Sequence, residues 1–240
     1  IQNTGKSIEK VGAGMTKAVT LPVVGAGVAA VKTAADFEKG MSGVQAISGA
    51  TGKQLAELSE KAKEMGAKTK FSATEATDAF KYMAMAGWNT TQMMDGIEGV
   101  MHLAGATGED LASTSDIVTD AITAFGLSAK DTNMFVDVLA QTANRSNTDV
   151  GMLGESFKYV APVAGAMKYS VQDVSTALGL MANSGVKAST AGTSLRSWMS
   201  RMAAPTDSVA SAMKELGISL ADSSGKTKDF MTIMKDTRDG

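Results

Sequence analysis

Apolar residues recur at helical spacing along most of this chain, and polar start signals and glycines mark off the runs. The clearest stretch is residues 71–105. There Ala76, Ala79, Phe80 and Met83 share one face, and Met93, Ile97, Val100, Met101 and Ala104 share another. Ser72 with Glu75, and Asn89 with Gln92, have the spacing of capping boxes, in which a short polar side chain takes up free backbone N–H groups. With Gly87 between the two runs, the pattern predicts two amphipathic helices folded back on each other.

The unit recurs. Gly87, Gly126 and Gly165 stand 39 residues apart, each at the end of an apolar-periodic run. New caps follow them at Asn89, at Ser128 with Asp131, and at Ser170 with Asp173. Thr77-Asp78-Ala79 returns as Thr119-Asp120-Ala121, Phe80-Lys81-Tyr82 as Phe157-Lys158-Tyr159, and Gly99-Val100-Met101 as Gly179-Leu180-Met181. A period near 40 with two helices per unit predicts three related, stacked helical hairpins.

The rest of the chain extends the pattern. Residues 1–17 are polar with scattered glycines and read as a loose lead-in. Residues 18–31 (AVTLPVVGAGVAAV) form the one continuous apolar run of note. A spanning helix needs roughly 20 residues, and Pro22, Gly25 and Gly27 weaken a free helix in water. Three readings stay open for this run: a buried or self-associating segment, a flexible lead-in, or a membrane-active segment. Phe37, Met41 and Val44 carry a helix over residues 34–47. Thr51 with Gln54 opens a charged helix over residues 53–65, closed by Gly66. Thr107 and Asp110 cap a stripe of Thr114, Val118, Ala121, Ile122 and Phe125. Helices follow over residues 128–143, 149–164, 170–183, 189–202 and 206–216. Pro162 is expected to kink or end the second of these, and Gly217 to stop the last. Ile218 to Leu220 alternate like a strand before a turn at residues 222–225, and a final helix begins at Phe230. The fold class is therefore all-α: an array of antiparallel helical hairpins with about nine or ten helices and one short β-hairpin near the C-terminus. The expected divisions are a lead-in with its apolar segment (residues 1–33), the hairpin array (34–217), and the short hairpin with the following helix (218–240).

Composition narrows the chemistry more than the fold. Cysteine is absent from the 240 residues, which removes disulfides, thiol catalysis and thiolate metal sites. Net charge is -2 with both signs interspersed, unlike the clustered basic excess of nucleic-acid binders. Three prolines and 5% aromatic residues favour helices over a sandwich or barrel. The 25 glycines are expected mostly at helix ends, where a left-handed residue is wanted. The 17 methionines read as adaptable core filling or, alternatively, as a surface that repacks against partners. Met83, Met85, Met93 and Met94 are the candidate partner face. The chain does not start with Met and shows no secretory signal at its start, so it reads as a piece of something longer.

No set of residues announces catalysis. His102 is the single histidine and has no ligand-spaced companion. There is no Gly-x-Ser-x-Gly elbow, and the glycine pairs at Gly12–Gly14 and Gly25–Gly27 lack the features of a phosphate or dinucleotide loop. Residues 222–225 open acidic but lack the alternating oxygen ligands of a calcium loop. Asp116 and Asp120 read as a wet helix face. Glu155-Ser156-Phe157, Pro162, Gly165-Ala166 and Gly179-Leu180-Met181 resemble pieces of soluble lytic transglycosylases, in which a helical Glu protonates the glycosidic oxygen. In that family the last two pieces are almost adjacent, whereas a dozen residues separate them here. The repeat of Phe80-Lys81-Tyr82 assigns the region to a hairpin instead. No catalytic, cofactor-binding or metal residue is assigned, and no cofactor.

An ordered series of segments resembles the N-terminal conserved region of tailed-phage tape measure proteins. It runs through Val19-Thr20-Leu21-Pro22, Asp36-Phe37-Glu38-Lys39-Gly40-Met41, residues 44–52 (VQAISGATG), residues 69–73 (TKFSA) and Met85-Ala86-Gly87-Trp88. It continues with residues 110–126 (DLASTSDIVTDAITAFG), Ser146-Asn147-Thr148-Asp149-Val150, residues 191–196 (AGTSLR), and Leu216-Gly217-Ile218 before Asp222 and Gly225. The resemblance implies a non-enzymatic scaffold around which the tail tube polymerises and whose length sets tail length. It implies tail tube protein, tail assembly chaperones and tail tip or baseplate proteins as partners, with self-association and transient host-membrane contact. It also implies residence in the tube lumen of the virion, after assembly in the host cytoplasm, and release during genome ejection. Specific nucleic-acid binding is not expected. A membrane-active segment and a peptidoglycan hydrolase are the alternative functions.

Overall fold

A computed structural model describes residues 21–239, with side chains from residue 31 onward. Among the described residues there are eleven α-helices, against the nine or ten expected. In chain order they are α1 (Leu21–Ser48), α2 (Gly52–Lys68), α3 (Ala73–Met85), α4 (Thr90–Thr107) and α5 (Leu111–Phe125). A 3-10 turn, Ala129–Asp131, leads into α6 (Thr132–Arg145). Then come α7 (Val150–Ala166), α8 (Val171–Asn183), α9 (Ala188–Ala203), α10 (Asp207–Glu215) and α11 (Phe230–Asp239). The polar lead-in and the first three residues of the apolar run lie outside the described residues. The remainder of that run forms the opening turns of α1, a 28-residue helix that continues through Pro22, Gly25 and Gly27.

The start signals work as their spacing predicts. Thr51 with Gln54, Ser72 with Glu75, and Asn89 with Gln92 form reciprocal capping boxes. Asp110, Asp149 and Ser170 each accept the N–H three residues on. Thr107 is the last residue of α4 instead, its hydroxyl donating back to the Leu103 carbonyl at 2.8 Å. Gly87 and Gly126 adopt left-handed φ values of 84° and 70°, which only glycine takes at little cost, and each turns the chain into its next helix.

Helices stack mainly on their second neighbours in sequence. α1, α3, α5, α7 and α9 pack side by side in one layer, and α4, α6 and α8 in the other. α2 stands beside α4 but leans mainly on α3, and α11 closes against α8. Consecutive helices thus cross between layers, which is how hairpins stack into a two-layer array. The core lies between the layers. Phe157 of α7 is its hub, with ring centroids 5.7 Å from Phe125 of α5 and 5.9 Å from Phe135 of α6. At the C-terminal end, Phe230 anchors α11 with its ring 5.2 Å from Tyr169 and 5.6 Å from Trp198.

Several expectations are corrected by packing. Many interior glycines are contact points and not helix ends. A side chain at Gly40 would overlap Thr77, one at Gly99 would come within 2.7 Å of Asn133, and one at Gly192 would strike the Ser156 backbone. Gly66 does not close α2, which runs two residues further; a Cβ there would sit 2.6 Å from the Ala73 nitrogen, so Gly66 lets the start of α3 come close. Gly165 is not the third turn of the 39-residue series. It lies inside α7 against the backbone of Ala124 and Phe125, and Lys168 makes the left-handed turn at φ 60°. Pro162 neither ends nor interrupts α7; it sits on the exposed face of the helix. The anticipated β-hairpin is reduced to one antiparallel bridge between Ala221 and Thr227, around a turn organised by the Asp222 carboxylate.

Candidate functional site

The residues weighed for chemistry are dispersed over the array. His102 is exposed on α4. Glu155 is half-exposed on α7 and ion-paired to Lys158 at 2.8 Å, one helical turn away. Beside that pair, α5 and α7 leave a groove of about 230 Å³ lined by Ile117, Asp120, Gly154 and Lys158, and Glu155 stands outside its lining. Burial first, and then the neighbouring Asp116, push the Asp120 carboxyl above its ordinary range, while Lys158 pulls it back. The hydrogen bond that Lys158 donates to Glu155 raises its ammonium above its own range. Gly154 lets α5 come close: Ile117 fills the place a side chain would take, 2.5 Å from that position. Among the described residues, no group of three or more His, Asp or Glu side chains is placed to hold a metal ion.

The methionine face separates into core and surface. Met83 and Met93 are fully buried, whereas Met85 is 67% exposed and Met94 half-buried beside the charged face of α2. Met93 and Met94 are adjacent in sequence, so the helical turn sends them to different environments. No helix among the described residues is long and apolar enough to cross a membrane.

Two other surfaces stand out, neither marked in the sequence. α8, α9 and α11 enclose an apolar groove of about 640 Å³. α10 has no buried residue, although its apolar positions follow a helical stripe. Periodicity reveals such a stripe but not whether anything covers it.

Comparison with known proteins places this array. The chain is 40% identical over 221 residues to the tape measure protein of Pneumococcus phage Dp-1, covering 92% of this chain and 19% of that protein. It is 28% identical over 232 residues to the probable tape measure protein of Escherichia phage P2, covering 96% of this chain and 28% of that one. It therefore spans 19% to 28% of the length of these relatives. A similar 28% identity over 158 residues links it to the probable tape measure protein of Clostridium phage phiCD119. No solved structure matches the chain. The pattern of the phage-related minor tail protein family matches residues 59–240, from within α2 to the last residue. The chain belongs to this family of phage tail proteins, and within it to the tape measure proteins.

Proposed function

We propose that this chain is a structural segment of a tail ruler: a scaffold around which tail tube protein polymerises and whose length sets tail length. The observation that carries the reading is the match to tape measure proteins along more than nine-tenths of the chain. The polar side chains support it, since many of them cap helices or bond to backbone carbonyls of their own helix, which is scaffold work. Tail assembly chaperones would hold the protein before the tube closes, tail tip or baseplate proteins would anchor it, and the lumen would release it ahead of the genome. In this reading the chain is not an enzyme, and Glu155 with Lys158 is a surface ion pair.

The test is tail length, by negative-stain microscopy, in phage carrying an in-frame deletion of residues 107–144. Thirty-eight residues drawn out as continuous helix span about 57 Å at 1.5 Å each. The ruler reading expects tails shorter by that amount, and longer by the same amount when those residues are duplicated. Tails of normal length from both phages would overturn it and assign the array to assembly or ejection.

A further inference from the structure

The segment after α9 is fastened to the array at few points. From Ala203 to Asp229 the one buried residue is Ile218, while Met213 and Leu220 lean half-buried on the core. α11 then docks through Phe230 and Ile233, both fully buried. The Phe230 ring meets Tyr169, at the junction of α7 and α8, and Trp198 of α9, the second of them edge-on. Even there the fit is incomplete, since a groove of about 640 Å³ stays open between α8, α9 and α11.

Polar contacts do not fasten it. Among the described residues, every hydrogen bond and ion pair of residues 205–239 stays inside the segment. Asp222 accepts from Ser224 and Lys226, Asp229 accepts from Thr232, Lys228 pairs with Asp236, and Arg238 pairs with Asp239. By contrast, α7 and α9 share the bond from Ser156 to Ala188. Releasing the segment therefore breaks apolar contacts and no hydrogen bond. It also gives water to the Tyr169 hydroxyl, which is buried without a partner among the described residues. We propose that residues 205–239 form a latch, hinged at Ala204-Pro205, which opens while the rest of the array stays folded and uncovers the aromatic face of Tyr169 and Trp198. Local opening of this kind falls to the segments with the fewest buried contacts. Once released, α11 has ten residues, too few to persist as a free helix in water, so its amides exchange whenever the latch is open. The inference is independent of the ruler reading.

Hydrogen exchange of the full 240-residue chain, read by mass spectrometry, tests it. In the wild type, α11 should be protected relative to a free peptide and yet exchange well before α5 and α7. Phe230→Ala removes the anchor. It should speed exchange in α11 about a hundredfold, or to the free-peptide rate, and leave α5 and α7 unchanged. Tyr169→Phe should act in the opposite direction, slowing α11 about fivefold, because the closed latch no longer buries a lone hydroxyl. The proposal is overturned if α11 keeps its protection until α5 and α7 lose theirs, or if it has none in the wild type. It is also overturned if Phe230→Ala speeds all three helices equally, or if Tyr169→Phe fails to slow α11.

Discussion

The α7–α9 and α6–α8 contacts join second neighbours in opposite layers, and both are built on a glycine. At α7–α9, Gly192 meets backbone: a side chain there would strike the Ser156 carbonyl oxygen and come 2.8 Å from its Cα. The Ser156 hydroxyl then donates across the interface to the Ala188 carbonyl at 2.8 Å. At α6–α8, Gly179 meets side chains, the Ser146 hydroxyl and the Thr142 methyl. Hydrogen bonds across this contact lie toward the helix ends: the Asn147 N–H donates to Asn183 Oδ1 at 2.8 Å, and Gln172 Nε2 donates to the Met134 sulfur at 3.1 Å. This looser contact leaves a groove of about 340 Å³ beside Arg145, Gln172 and Thr176. Backbone cannot yield to an added methyl, whereas a hydroxyl can rotate away. The same residue type therefore sets a rigid spacing in one layer and an adjustable one in the other.

Substitutions can break this contrast or refine it. Gly192→Ala should cost the most, about 3 kcal/mol, because the new methyl overpacks a backbone contact. Its midpoint in urea unfolding should fall accordingly. Gly179→Ala, read the same way, should cost about 1 kcal/mol or less; an equal loss at both positions would mean that the opposing atoms do not decide the outcome. Ser156→Ala should cost about 1 kcal/mol by removing the bond to Ala188, and hydrogen exchange should quicken at the start of α9 before it does at α8. Tyr169, at the junction of α7 and α8, should give the smallest effect and the opposite sign. Its hydroxyl is buried without a partner among the described residues, and burial pushes the phenol above its usual range. Tyr169→Phe should raise thermal stability by up to about 1 kcal/mol.

Much of the fold could be read in the sequence because the signals are local. A capping box such as Ser72 with Glu75 is complete within four residues, and the stripe of Ile97, Val100, Met101 and Ala104 follows from the helical period alone. Where the reading failed, the deciding partner was distant in sequence. Met83 and Met93 look as available as Met85 until the neighbouring helices cover them. Pro162 looks like a terminator until the fold places it on the wet side of α7. The exposure of α10 was hidden for the same reason, since a covered and an uncovered stripe have one spacing.

The sequence by itself determined helix starts, helical faces and the all-α class, because caps and periods are settled by atoms a turn or less apart. Only the tertiary structure decided what each glycine is for. Gly126 and Gly165 end the same kind of run at the same interval, yet one turns the chain at φ 70° and the other lies inside α7 against the Phe125 backbone. A missing side chain permits either a left-handed turn or a close approach. Which of the two occurs depends on whether another helix arrives at that face, and that is fixed only when the layers stack.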